Sequence, residues 1–122
     1  MPQKLPNYLR AARREAGLSQ AEVSFLLGCQ HGGKVSRYER FSRHPNVATM
    51  FACAVVFQTP AEKLFAGAYE RAVCDVLKRV VALAQRLSTT QNASAPHQRK
   101  LATLSAISET IKRNHPDTNE PL

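Results

Sequence analysis

Residues 18–39, LSQAEVSFLLGCQHGGKVSRYE, constrain the fold more than any other stretch of the chain. Ser19 with Glu22 three positions later is a capping box. The hydroxyl can accept from a helix N–H that has no intrahelical partner, while the carboxylate reaches back to the cap N–H. An apolar run follows and Gly28 closes it, so the spacing predicts a short helix. A polar, glycine-bearing turn over 29–33 leads to a second short helix over 34–40. Two helices that cross tightly need a small residue at the contact, and Ser24 is placed for it. They need a glycine where the chain turns, which Gly28 supplies. Val23, Leu27, Cys29, Val35 and Tyr38 have the spacing to lock the two together.

The remainder is also helical in pattern, with no sustained period-two alternation and no Asn-Gly hairpin signal. Leu5, Leu9, Ala12 and Ala16 recur at helical spacing, from Pro6 near the first turn to Gly17 as a C-cap. Asn46 can cap a helix over 47–57, and Thr59-Pro60 opens a short one through Phe65, with Gly67 as punctuation. Residues 68–87 form one long amphipathic segment. Tyr69, Val73, Val76, Val80, Leu83 and Leu87 alternate steps of four and three, a heptad seam suited to dimerisation. The same stripe could instead pack on the preceding core or on the last helix. Residues 88–97 are polar and read as a linker. A C-terminal helix is expected over 98–113, with Leu101, Leu104, Ile107, Ser108 and Ile111 on a weaker apolar face, and a disordered tail over 114–122.

Charge narrows the function. Lys and Arg number 17 against 9 Asp and Glu, a formal net charge of +8, which favours a polyanionic partner. Residues 1–45 hold eight basic and three acidic residues; residues 46–122 hold nine and six. Cys29, Cys53 and Cys74 are far apart and form no C-x-x-C pair, so they are expected to be reduced thiols acting as small apolar residues in a cytoplasmic protein. His31, His44, His97 and His115 are scattered, none at zinc spacing from a cysteine, and are expected at the surface. No metal or other cofactor is expected. No paired carboxylates, Gly-rich phosphate loop or nucleophile motif points to an enzyme. Neither a signal peptide nor a membrane span is expected.

With these features in view, the sequence resembles the Cro/Xre-type helix-turn-helix family of phage and bacterial regulators. The resemblance covers residues 5–66 and rests on LRAARREAGLSQAEV, KVSRYER and PNVATMFACAVVFQTPAEKLF. It implies an all-α chain: a five-helix repressor-like domain over 1–67, then a long amphipathic helix and a shorter C-terminal one. It also implies residue roles. Gln20 matches the glutamine that contacts a DNA phosphate and braces the recognition helix. Arg13 and Glu39 match an ion pair between the first and third helices. Gly33, Ser36, Arg37 and Arg40 match the positions that face DNA. The chain departs from the family pattern in five places. One extra residue lies between Gly28 and Val35, Phe41 and Gln58 stand where glycines are usual, Ser24 replaces alanine, and Phe25 fills a slot that is usually polar.

The expected function is that of a dimeric transcriptional repressor. Its third helix would enter the major groove of double-stranded DNA at a palindromic operator. Arg37 is the best base reader, because arginine pairs bidentately with guanine. Lys34, Arg40 and Arg43 suit phosphates. Gln30 and His31 could reach bases or phosphates from the turn, or form an exposed loop. Two alternatives keep the fold and change the role: an antitoxin that binds its toxin through residues 68–122, or a protein-interaction adaptor.

Overall fold

A computed structural model describes residues 5–29, 33–89 and 94–115. Among them are seven helices and no strand: α1 (Leu9–Ala16), α2 (Gln20–Leu26), α3 (Gly33–Glu39), α4 (Val47–Phe57), α5 (Ala61–Leu64), α6 (Ala66–Ser88) and α7 (Ala95–Asn114). The chain divides into two compact units at Glu70 and Arg71.

In the first unit, α1 begins at Leu9 rather than near Pro6. The backbone before it is engaged elsewhere: the Tyr8 N–H donates to the Leu64 carbonyl at 2.8 Å, and the Pro6 carbonyl accepts from the Gly67 N–H at 2.9 Å. Asn7 serves the helix start and the core together. Its Oδ1 accepts from the Leu9 N–H at 3.0 Å and its Nδ2 donates to the Tyr38 carbonyl at 2.8 Å. Gly17 ends α1 in the left-handed region at φ 75°, closing the last carbonyls as a helix terminus requires.

The capping box at α2 is formed. Ser19 Oγ accepts from the Glu22 N–H at 3.1 Å, and the Glu22 carboxylate accepts from the Ser19 N–H at 2.8 Å. That second bond, with the Ser19 hydroxyl next, holds the Glu22 carboxyl below its ordinary value of 4.5. A carboxyl depressed in the folded state adds stability above its unfolded pKa and loses it as pH falls through the folded one. The melting temperature of Glu22→Ala is therefore expected below that of the wild type at neutral pH, with the gap closing as the solution is acidified past 4.5. A gap independent of pH would show that the carboxylate bond contributes nothing.

Helix α3 starts and stops one residue before the expected 34–40. Asn46 caps α4, accepting from the Thr49 N–H at 2.8 Å. The helices meet on Leu9, Tyr38, Cys53, Leu64 and Phe65, with Ala12, Leu27, Met50, Phe57 and Ala68 packed around them. Val23, Ser24 and Val35 are also buried, consistent with a close crossing at the small Ser24 side chain.

Two departures from the family pattern have a backbone counterpart. Phe41 and Gln58 hold φ of 62° and 48°, the left-handed region that glycine enters without a Cβ penalty. Gln58→Gly should relieve a penalty of about 1–2 kcal/mol, less the added entropy of an unfolded glycine. A rise of a few degrees in melting temperature is expected; a fall would mean that the Gln58 side chain contributes more than its backbone costs. Gly67, by contrast, does not punctuate anything. It lies inside α6, and a Cβ there would sit 2.5 Å from the Pro6 carbonyl oxygen, so glycine is required by close approach.

In the second unit, Val73, Leu77 and Val80 of α6 are buried at spacings of four and three, as are Leu104 and His97 of α7. Val80 and Ala84 line one cleft with Leu101, Leu104 and Ser108. Helix α7 starts at Ala95, three residues before the expected Gln98, because Ser94 caps it: its hydroxyl accepts from the His97 N–H at 3.3 Å. His97 is thereby drawn into the first turn and buried, against the expectation of a surface histidine. The expected tail lies outside the described residues from 116 onward, as do 90–93 of the expected linker.

Among the described residues, no helix is long and apolar enough to cross a membrane.

Candidate nucleic-acid interface

Helix α3 has two opposite faces. Val35, Tyr38 and Glu39 point inward and are buried. Gly33, Ser36, Arg37 and Arg40 follow at steps that repeat along one helical face, i, i+3, i+4 and i+7. Gly33, Arg37 and Arg40 are exposed and Ser36 is half-buried. Lys34, on the flank of the helix, and Arg43, in the loop after it, are exposed too. The long exposed side chains of this short helix, Lys34 and Arg37, are therefore basic, and so is Arg40 directly after it.

A buried charge fixes its inner face. The Glu39 side chain is 3% exposed. Arg13 of α1 grips it with both ends of the guanidinium, Nε to Oε2 at 2.6 Å and Nη2 to Oε1 at 3.1 Å. Gln20 of α2 donates from Nε2 to Oε1 at 3.2 Å. Arg13 also donates from Nη1 to the Leu18 carbonyl at 3.0 Å, beyond the end of α1. One carboxylate thus ties three helices together, and the paired geometry raises the Arg13 pKa through the hydrogen bond to Glu39. Bidentate pairing sets orientation as well as distance, so α3 cannot rotate about its axis without breaking it.

Gln20 is half-buried, with its amide donating to Glu39. It lines one depression with Arg10, Arg13, Ser36, Glu39 and Arg40. Arg10 is the member that sequence reasoning missed. It is exposed and lies three residues before Arg13, one turn along the same helix, and that spacing was the available signal. Gln30 and His31 lie outside the described residues.

The residues with dimerisation spacing are divided by the structure. Val73 and Val80 are buried within the chain, Leu87 is half-buried, and Tyr69, Val76 and Leu83 are exposed. The thiols are free. Cys53 is fully buried, which pushes its pKa up to about 11 and leaves it un-ionised at neutral pH. Among the described residues, no group of His, Cys, Asp and Glu could hold a metal ion.

A helix-turn-helix family model matches residues 9–64, which contain α1 through α5. No curated protein and no solved structure matches the chain. The matched stretch carries the crossed pair α2 and α3, the basic outer face and the buried carboxylate that orients it. The match over residues 9–64 supports a helix-turn-helix domain of Cro/C1 type, a family of DNA-binding regulatory domains.

Proposed function

We propose that the protein is a sequence-specific DNA-binding repressor that acts as a homodimer on a palindromic operator, with α3 in the major groove. The observation that carries this is the two-faced helix: a basic outer face on Arg37 and Arg40, held from behind by Glu39 on Arg13 and Gln20. Arg37, in the middle of that face, reads a base edge, and Ser36 and Gly33 allow close approach beside it. Arg10, Lys34, Arg40 and Arg43 engage phosphates, and Gln20 adds a further phosphate contact at the start of α2. Gln30 and His31, outside the described residues, are proposed as further DNA contacts. Two such helices, one from each protomer, enter successive major grooves about 34 Å apart, so the operator mirrors the two-fold axis.

The test is binding to duplex DNA measured across a range of salt. Each phosphate neutralised contributes about −0.9 to the slope of log affinity against log salt. With four or more basic contacts per protomer, a slope steeper than about −3 is expected. Tight binding with a slope near zero would overturn the reading.

A further inference from the structure

Helices α6 and α7 lie side by side in the second unit, and each buries one narrow line: Val73, Leu77 and Val80 on α6, His97 and Leu104 on α7. Such a pair leaves a groove along either side of its contact. One groove is lined by Leu83 of α6 and by Pro96, Arg99, Lys100, Thr103 and Leu104 of α7. Arg79 and Arg86 stand four residues before Leu83 and three after it, on the same side of α6, and Val76 carries that side one turn further back. Val76 and Leu83 are 44% and 39% exposed, an apolar floor open to water. The charge around this floor has one sign. Residues 76–108 contain five basic residues, Lys78, Arg79, Arg86, Arg99 and Lys100, and no acidic one. All five are exposed, and among the described residues none of them is in an ion pair. The groove on the other side of Leu104 carries both signs, with Glu109 and Lys112 in its lining.

We propose that this groove docks an acidic amphipathic helix of another protein. The reading goes beyond DNA binding and does not rest on it. Charge and apolarity together select the occupant. A nucleic acid would satisfy the cations but would set Val76, Leu83 and Pro96 against phosphates and sugars, where apolar side chains contribute nothing. A second copy would bring the same basic stretch to face this one, and like charges opposed across an interface cost free energy. A helix with large apolar side chains along one face and carboxylates on its borders meets both features at once. Its apolar side chains cover the floor, as in other helix-in-groove docking. Its carboxylates meet Arg79 and Arg86 on one wall and Arg99 and Lys100 on the other, so acids on both borders hold it in the groove. The stripe from Val76 to Arg86 is about 15 Å long at the helical rise. That length takes partner anchors at i, i+3 or i+4, and i+7.

The probe is a synthetic helical peptide with leucines at i, i+3, i+4 and i+7 and glutamates beside them. It is titrated into the full chain and followed by fluorescence anisotropy and by backbone amide NMR shifts. Saturable binding is expected, with the shifts centred on Leu83 and Arg99. A peptide of the same composition with its leucines scattered around the helix should bind at least about tenfold more weakly, the loss of one good anchor. Leu83→Ser and Arg99→Glu should each weaken the striped peptide about tenfold. Lys112→Glu, in the other groove, should leave it unchanged. Should Leu83→Ser unfold the helix pair, Arg99→Glu keeps the test, because Arg99 is exposed and takes no part in the buried line. No binding of the striped peptide, equal affinity for the striped and scattered peptides, an Arg99→Glu chain that binds like the wild type, or shifts centred on α3 overturns the proposal. So does a striped peptide that fails to bind while Arg99→Glu with Lys100→Glu weakens random duplex DNA, the result that makes the groove a second nucleic-acid surface.

Discussion

Arg13→Ala is expected to destabilise the first unit by about 3 kcal/mol, the low end for removing one partner of a buried ion pair. Glu39, with its side chain 3% exposed, would lose its guanidinium partner and keep the Gln20 amide as its side-chain donor among the described residues. The Arg13 bond to the Leu18 carbonyl would go with it, loosening the junction between α1 and α2. The melting temperature should fall by at least roughly 10 °C. Glu39→Ala should cost less, because Arg13 is the more exposed partner, at 14% against 3%, and can turn to water. Thermal melts of the two variants followed by circular dichroism give the comparison directly. If both melt with the wild type, the pair is solvated and does not orient α3.

Arg37→Ala is expected to leave stability unchanged and to remove preference for the operator. Arg37 is exposed on the outer face of α3 and shares in none of the bonds to Glu39. Losing one bidentate base contact costs roughly 1–3 kcal/mol of discrimination, or about tenfold to a hundredfold in affinity for the preferred site. Arg43→Ala provides the contrast, with operator and random DNA weakened by similar factors and a salt slope shallower by about one. Equal losses on both DNAs for Arg37→Ala would make Arg37 a phosphate contact.

What the sequence made legible is what depends on neighbours a few positions away. Ser19 and Glu22 form their box within four residues, and Gly17 and Asn46 act on the helix ends beside them. Arg13 and Glu39 are 26 residues apart; no local rule joins them, and the resemblance to a known family supplied the pair. Features set by tertiary approach could not be read. Gly67 looks like punctuation until Pro6 is seen against it. His97 looks like a surface residue until Ser94 starts the helix early. The heptad from Tyr69 to Leu87 records a periodicity but not which neighbour uses it, and Leu77, off the seam, is buried with Val73 and Val80. Helix α4 is the sharpest case: a segment without a charge predicts burial all round, and nothing in its letters marks the side that the rest of the first unit leaves uncovered.

The bonds from Tyr8 to Leu64 and from Gly67 to Pro6 bear on where a minimal fragment can be cut. The family match spans residues 9–64. A polypeptide trimmed to those bounds would lose Asn7, which starts α1 and holds the Tyr38 carbonyl, the Tyr8 N–H that meets Leu64, and the buried ring of Phe65. It would keep every side chain proposed to touch DNA while giving up the clasp that closes the bundle. A fragment that folds by itself must therefore run outward past both ends of the match, to include at least Pro6 and Gly67. Backbone amides of Tyr8 and Gly67 should exchange with solvent deuterium on the timescale of global opening rather than of fraying ends.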